Sequence, residues 1–315
     1  MQPIILIVGP TAVGKTSLSI QLAQHFNGEI ISGDSMQIYQ HLDIGTAKVQ
    51  PAEMQGVPHY LVDHQAVTQR FTVADFKQQA QQAIGTIAQH QHLPFIVGGT
   101  GFYLQALLKD YQLGGSAAAG DFKLRNQWQA YLTVHGPEAL WQQLDQQDPV
   151  AAQRIPVGDS RRVIRALEVI QTTGQLFSEQ ADQTNTQLRP LIIGLITERQ
   201  LLYQRINQRV DLMLDQGLLD EAKWLYQRRD QAPQASRGIG YKELFPYFAG
   251  EQDLATAVAK IKQNSRHYAK RQLTFFRNQF KTHWFDLVQH PEQLAAIETT
   301  MTTFLKEDDN DELAN

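Results

Sequence analysis

The chain has 315 residues and no cysteine, which allows one large domain or two smaller ones and excludes a disulfide framework, a thiolate metal site and a cysteine nucleophile. Its formal charge of −4 sits wholly in the last ten residues, where five acidic side chains face one lysine; residues 1–305 balance at 27 basic and 27 acidic groups. No apolar run nears the ~18 residues that span a bilayer, and no charged segment leading an apolar one marks a signal peptide, so a soluble, cytoplasmic protein with no membrane contact is expected.

Ile4–Val8 reads as a buried strand. It runs into Gly9-Pro10-Thr11-Ala12-Val13-Gly14-Lys15-Thr16, the G-x-x-x-x-G-K-[ST] pattern, and then into Leu18, Leu22 and Phe26 at helical spacing. A strand that delivers the chain into a glycine turn ahead of a helix makes an anion site, because backbone N–H groups converge there and the helix dipole favours negative charge. Lys15 adds a point charge, and the Thr16 hydroxyl can ligate a Mg2+ that bridges phosphate oxygens. Linked phosphates are the expected ligand.

Residues 29–34 predict a second strand ending in Asp34, and Pro94–Val97 a third that enters Gly98-Gly99-Thr100-Gly101. Phe76, Ala80, Ala83 and Ile87 place a helix within 71–90. This alternation predicts an α/β fold, a P-loop NTPase-like core whose parallel sheet carries helices on both faces. Ligands of such sheets lie at the carboxyl ends of the strands, so the loop at Gly9, Asp34 and Thr100 should converge on one crevice.

Residues 113–120, Leu-Gly-Gly-Ser-Ala-Ala-Ala-Gly, have the composition of a hinge. The stretch beyond is rich in glutamine and helical in pattern, with a start at Asp159-Ser160 and a stop at Gly174. Residues 191–196 read as a core strand again. The expected organisation is therefore a first part of the core at 1–114, a helical insertion at 115–187, a second part of the core with a basic helix at 188–305, and a disordered acidic tail at 306–315. Thr197 with Gln200 forms a capping-box signal for a helix that turns Leu202, Ile206, Val210 and Met213 inward and ends at Gly217. Helices are expected from there to about residue 305.

Several groups could carry chemistry. Asp34, at a strand end beside a phosphate loop, can hold Mg2+ through water, take a proton from a nucleophile, or cap the next turn. Ser35, Met36 and Gln37 suit a small planar group. Gly98–Gly101 admits either close approach of a ligand or a tight turn. Arg205 and Arg209 share a helix face and can neutralise a leaving group, or pair with Asp211 and Glu221 in solvent. Residues 258–281 hold Lys260, Lys262, Arg266, Lys270, Arg271, Arg277 and Lys281, no acidic residue, and Tyr268, Phe275 and Phe276 interleaved; this suits phosphate contacts with base stacking, although aromatics at helical spacing also serve cores. Arg154, Arg161, Arg162 and Arg165 form a second basic knot in the insertion. Two basic surfaces on separate lobes point to structured RNA.

These residues closely resemble the bacterial tRNA dimethylallyltransferase (tRNA isopentenyltransferase) family. The matching stretches are GPTAVGKT (9–16), ISGDSMQIYQHLDIGTAK (31–48), VPHYLVD (57–63), GGTGFYLQAL (98–107), RIPVGDSRRVIRALEV (154–169), GIGYKE (238–243) and YAKRQLTFFR (268–277). Phe275-Phe276 stands where the family usually has Trp-Phe, the Gly/Ala run at 114–120 replaces a more proline-rich link, and the Cys/His finger of eukaryotic relatives is absent. The resemblance implies transfer of a dimethylallyl group from dimethylallyl diphosphate to N6 of the adenosine 3′-adjacent to the anticodon of tRNA, with Mg2+ as cofactor and the protein acting as a monomer. It implies that Asp34, Thr100 and Arg209 are catalytic, with Asp34 removing the proton that the delocalised exocyclic amine must lose. It implies that Gly9, Thr11, Ala12, Val13, Gly14, Lys15 and Thr16 hold the diphosphate, Thr16 also meeting the metal. Contacts to the tRNA anticodon stem-loop are implied for Asp34, Ser35, Met36, Gln37 and Thr100 around the target base, and for Phe122, Gly158, Asp159, Ser160, Arg161 and Arg162 in the insertion. The same is implied for Arg237, Gly238, Ile239, Gly240, Tyr241 and Lys242, and along the basic helix for Lys270, Arg271, Gln272, Leu273, Thr274, Phe275, Phe276 and Arg277.

A P-loop small-molecule or nucleotide kinase explains residues 1–110 equally well, but not an acid-free basic helix at 258–281. An isopentenyltransferase acting on free adenylate has no need of an RNA-sized basic surface. A nucleotide-switched RNA-binding module has no need of Asp34 and Thr100 beside the loop.

Overall fold

The computed structural model describes residues 1–109, 122–179 and 185–313, with side chains for all but 122 and 308–313. The chain begins with β1 (Gln2–Val8), α1 (Lys15–His25), β2 (Gly28–Ser32), the short β3 (His59–Tyr60), α2 (Val73–Gln89), β4 (Leu93–Gly98) and α3 (Gly101–Leu108). It continues through α4 (Phe122–Gln147), α5 (Pro149–Arg154), α6 (Ser160–Thr173) and β5 (Leu188–Leu195) to α7 (Arg199–Asp215) and α8 (Leu218–Tyr226). The last elements are α9 (Phe245–Phe248), α10 (Leu254–Gln279), β6 (His283–Phe285) and α11 (Gln293–Leu313). The chain divides into two compact units, one of Met1–Phe71, Asp75–Leu108 and Thr186–Asn315 and one of Thr72–Ala74 and Lys109–Asn185.

In the first unit the six strands form one sheet in the order β3-β2-β4-β1-β5-β6, every pairing parallel. β1 lies at the centre, and its residues Ile4 to Val8 have no exposure at all, as a strand covered on both faces requires. Ile5 and Ile7 join Leu18 and Leu22 of α1 and Ile297 and Met301 of α11 in one core layer. Ile4, Leu6 and Val8 alternate to the opposite face. The β1 register pairs Val8 with Gly98 of β4 and with Gly194 of β5, so three strands end at one level.

The second unit has a core of its own, built on Leu140, Leu144, Ile155, Val163, Ile164 and Leu167. Within α4 the helix breaks at Gly136 (φ 82°), one residue before Pro137. Asp148 starts α5 by accepting a hydrogen bond from the Ala151 N–H at 3.0 Å, and Asp159 starts α6 by accepting from the Arg162 N–H at 3.3 Å. Gly174, at φ 71°, ends α6. The buried Glu168 carboxylate is held by Arg125 at 2.8 and 3.0 Å and by Arg165 at 3.1 Å, which takes Arg165 out of the expected basic knot.

Four expectations need correction or fall outside these residues. The sheet has two strands that the sequence did not announce: β3 is two residues long and β6 three, too short for a period-2 pattern to register. The capping box at Thr197 and Gln200 does not form; α7 starts at Arg199 with Glu198 as N-cap and no side-chain cap bond. The segment 306–313 is helical, because α11 is anchored by Leu294, Ile297, Met301, Phe304 and Leu305 in the core, and extending a nucleated helix costs little. The hinge expected at 113–120 lies wholly outside the described residues.

Candidate active site

The loop after β1 is shaped by three left-handed residues, Gly9 (φ 143°), Ala12 (φ 64°) and Gly14 (φ 101°). Gly9 also packs against β5, since a Cβ there would meet the Leu195 carbonyl oxygen at 2.5 Å. The loop delivers Lys15 and Thr16 to the first turn of α1, whose N-terminal amides have no capping side chain. Lys15 Nζ donates to the Pro10 carbonyl at 2.6 Å. Its pKa falls to about 8, chiefly through burial, with the Arg209 cation adding to the effect and Asp34 opposing it. Arg209 is likewise pulled below its ordinary value by burial, against the attraction of Asp34 and Glu53. Two cations, each beside another cation that disfavours its charge (Arg209 for Lys15, Arg205 for Arg209), form a site prepared for an anion.

Both arginines of α7 turn to the loop rather than to solvent. Arg205 Nε donates to the Ala12 carbonyl at 2.9 Å, and Arg209 lies 3.4 Å from the Thr11 hydroxyl. The acidic partners suggested for them are engaged elsewhere: Asp211 pairs with Lys262 at 2.6 Å, and Glu221 anchors another loop.

Asp34 follows β2. One of its oxygens accepts from the Met36 N–H at 2.8 Å and so closes the turn; the other has no hydrogen-bond partner among the described residues. The expected turn cap and a carboxylate free for chemistry are thus the same residue. The Ser35 N–H donates to the Thr100 hydroxyl at 3.1 Å, which ties the turn after β2 to that after β4. Gln37 is held by its amide to the carbonyls of Thr46 and Ala47 at 3.3 and 3.2 Å. Gly98–Gly101 proves to be a packing turn: a Cβ on Gly99 would collide with the Gln272 amide, and one on Gly101 with the Phe275 ring.

α10 closes the site from above this turn. Gln272, 5% exposed, accepts from the Thr11 N–H at 3.2 Å and donates to the Gly99 carbonyl at 3.0 Å, bridging the phosphate loop and the β4–α3 turn. Burial, then the Asp34 charge, pushes the Tyr268 hydroxyl up to about 12, so it stays protonated. Phe276 is fully buried and Leu273 packs against Leu202 and Ile206 of α7. Tyr241, also fully buried, donates to Glu221 at 2.6 Å. Phe276, Gln272 and Tyr241, expected at the RNA surface, therefore build the site from inside. Lys270, Arg271, Thr274 and Arg277 remain exposed along α10, Phe275 is half-buried, and Arg237 and Lys242 are exposed beside Gly238, Ile239 and Gly240. In the second unit Arg154, Gly158, Asp159, Arg161 and Arg162 are exposed and Ser160 is half-buried. Phe122 opens α4, and its side chain lies outside the described residues.

Sequence patterns alone miss the role of Glu221. Its carboxylate accepts backbone N–H bonds from Asp43, Ile44 and Gly45 at 2.7, 2.9 and 2.9 Å. It does for this loop what a cap does for a helix, and fixes the wall that carries Thr46 and Ala47. Nothing local could reveal a pairing across some 176 residues. Lys48 is buried between Asp43 and Asp63 and donates to the Tyr39 carbonyl at 2.7 Å, a packing role for the lysine that ends the Asp-Ile-Gly-Thr-Ala-Lys stretch.

Two cavities meet at the loop. One, of about 490 Å³, is bordered by Thr11, Lys15, Thr16, Asp34–Gln37, Arg209, Arg237, Tyr268 and Arg271. Asp34 is the single carboxylate on its wall among the described residues, facing Lys15, Arg209, Arg237, Lys242 and Arg271. The other, of about 1280 Å³, runs from the same Lys15, Thr16 and Arg209 past Ile20, Leu212 and Met213. The two cavities share Lys15, Thr16, Ala47, Arg209 and Met213, so an anion at the loop is reached from two sides.

A parallel sheet whose central strand feeds a glycine loop, with one carboxylate and several cations on the adjoining cavity, defines an α/β protein with an anion-binding crevice at the carboxyl ends of its strands. The family model for IPP transferases matches residues 37–279. The tRNA dimethylallyltransferase of Latilactobacillus sakei is 58% identical over 97% of this chain and 99% of its own length. The solved tRNA isopentenylpyrophosphate transferase of Bacillus halodurans is 44% identical over 99% of both chains, with a TM-score of 0.75. A eukaryotic dimethylallyltransferase acting on tRNA superposes with a TM-score of 0.80 at 30% identity, over 98% of this chain and 80% of its own. The chain belongs to the IPP transferase family.

Proposed function

We propose that the protein transfers a dimethylallyl group from dimethylallyl diphosphate to N6 of the adenosine 3′-adjacent to the anticodon of tRNA. The observation that carries this reading is the single carboxylate, Asp34, sharing a cavity wall with the phosphate loop. The N6 lone pair attacks the allylic carbon, the carbon–oxygen bond to the diphosphate breaks, and the N6 proton passes to Asp34. The Thr100 hydroxyl, which accepts from the Ser35 N–H, holds the turn that aims Asp34. Loop amides, Lys15 and Arg209 meet the charge that grows on the departing diphosphate.

The donors at the loop are hard oxygens: the Thr16 hydroxyl is exposed at both cavities and Asp34 lines one of them. That set suits Mg2+, which keeps much of its water shell and takes few protein ligands. Bound through Thr16 and phosphate oxygens, Mg2+ would supply further neutralisation of the leaving group. The five-carbon chain is assigned to the side of the larger cavity where Ile20, Leu212 and Met213 offer apolar contacts among polar neighbours; the other cavity receives an adenine that has left its stack. The basic residues exposed on α10 and on α5–α6 supply phosphate contacts to the anticodon stem-loop, and the enzyme works as a monomer in the cytoplasm where that substrate occurs.

The test is mass analysis of unmodified tRNA incubated with the protein, Mg2+ and dimethylallyl diphosphate. One five-carbon adduct, mapped by nuclease fragments to the adenosine beside the anticodon, is expected. An unmodified tRNA, or an adduct formed equally well on free AMP, would overturn the reading.

A further inference from the structure

At the end of β2 remote from Asp34 lies a cluster for which the transfer reaction has no use. Glu29, the second residue of the strand, is 2% exposed. Its carboxylate accepts from the Tyr60 hydroxyl at 2.6 Å through one oxygen, while His90 Nδ1 and His92 Nδ1 approach the other at 2.8 and 2.6 Å. None of these three partners carries a fixed positive charge, and a carboxylate taken out of water is costly until charge or several dipoles compensate it.

The two histidines are presented together by backbone geometry. Gln91 between them has a left-handed φ of 58°, which turns the chain so that both rings reach the same oxygen, their centroids 6.0 Å apart. The N–H groups of His90, Gln91 and His92 bond to the carbonyls of Thr86, Ala88 and Ile87 at 3.1, 3.0 and 3.1 Å. The backbone that carries the two ligands is therefore set by the end of α2 and the start of β4. One donor atom from each of Glu29, His90 and His92 lies within 4.8 Å of the other two.

We propose that Glu29, His90 and His92 form a binding site for a zinc-type transition-metal dication, on the strength of two imidazole nitrogens converging on one oxygen of a buried carboxylate. Two imidazoles and a carboxylate with positions left for water form a recurrent zinc donor set, and nitrogen donors select zinc, cobalt or nickel over magnesium and calcium. The present Nδ1–oxygen separations are hydrogen-bond lengths. With metal–ligand bonds of about 2.0–2.2 Å, the ligands spread slightly, each imidazole coordinates through Nδ1 and carries its proton on Nε2. The His90 and His92 side chains, 49% and 33% exposed, have room to move and leave solvent access to the open positions. Tyr60, on the far carboxylate oxygen, orients the ligand as an outer partner. The site is independent of transfer: it clamps the start of β2 to the turn before β4, at the sheet end opposite the phosphate loop.

The test uses untagged protein, treated with chelator and dialysed, titrated with Co2+ by visible absorption and with Zn2+ by calorimetry. One equivalent per chain, undisturbed by millimolar Mg2+, is expected. The His90→Gln/His92→Gln variant should lose that equivalent, and Tyr60→Phe should weaken it by about 10–100-fold. Because His90 is half-exposed, His90→Gln alone, with its fold checked by circular dichroism, guards against a misfolded double variant and should also lose the tight equivalent. Binding equal in wild type and variants, or no binding by wild type, would overturn the site. Transfer activity is expected to be unchanged in His90→Gln.

Discussion

Asp34 and Gln272 show how differently two residues of one cavity can matter. Asp34 has one oxygen committed to its own turn and one available, so Asp34→Asn preserves the turn bond and removes the base. We expect kcat to fall by about 10²–10⁴ with tRNA affinity retained, measured by single-turnover transfer beside filter binding. Arg209→Ala, which strips a cation from the leaving-group side, should cost about 10²–10³ in kcat. Gln272 touches no reacting atom in this scheme; it joins Thr11 N–H to the Gly99 carbonyl. Gln272→Ala leaves both backbone groups unpaired and should destabilise the protein by about 1–3 kcal/mol, read by urea unfolding, and should lower transfer through a loosened loop.

Among the elements, those with strong local signals are legible in the sequence, and those fixed by partners far along the chain are not. β1 and the loop after it announce themselves through an apolar run and two glycines; Asp159 and Gly174 mark both ends of α6. β3 and β6 are edge strands of two and three residues, defined by pairing alone. The stripe on α10 is legible as basic, and its aromatics admit a core role as well as stacking; the RNA contacts that the family resemblance implies for Gln272 and Phe276 fall on residues that the fold buries. Catalytic candidates are legible because the phosphate loop demands adjacent residue types; Glu221 is not, because its work is done for a loop distant in sequence. Asp148, the cap of α5, allows a test at this scale. Burial would raise its carboxyl, but N–H bonds from Ala151 and Ser178 hold it below the ordinary value. The stability it contributes is therefore full above the unfolded carboxyl range, about pH 4, and is lost as pH falls through the depressed folded value. Asp148→Ala should cost about 0.5–2 kcal/mol at pH 7, and the difference from wild type should shrink in unfolding curves taken below pH 4.

For the whole molecule, charge placement matters more than net charge. A formal −4 conceals a neutral body whose cations gather on α10 and around the start of α6. RNA affinity should fall steeply with salt, and replacing Lys270, Arg271 and Arg277 by alanine should flatten that slope by about one unit for each phosphate left without its cation, measured by filter binding across a KCl series. The kinase alternative, which shares the first hundred residues' pattern, is set aside by family membership across 37–279.

The most direct measurement is single-turnover transfer by Asp34→Asn under saturating dimethylallyl diphosphate, Mg2+ and tRNA, with binding of both substrates measured in parallel. A five-carbon adduct that forms at least about 10²-fold more slowly while both substrates still bind would establish Asp34 as the base at a prenyl diphosphate site. An adduct formed at the wild-type rate would contradict that role and leave Asp34 as the cap of its own turn.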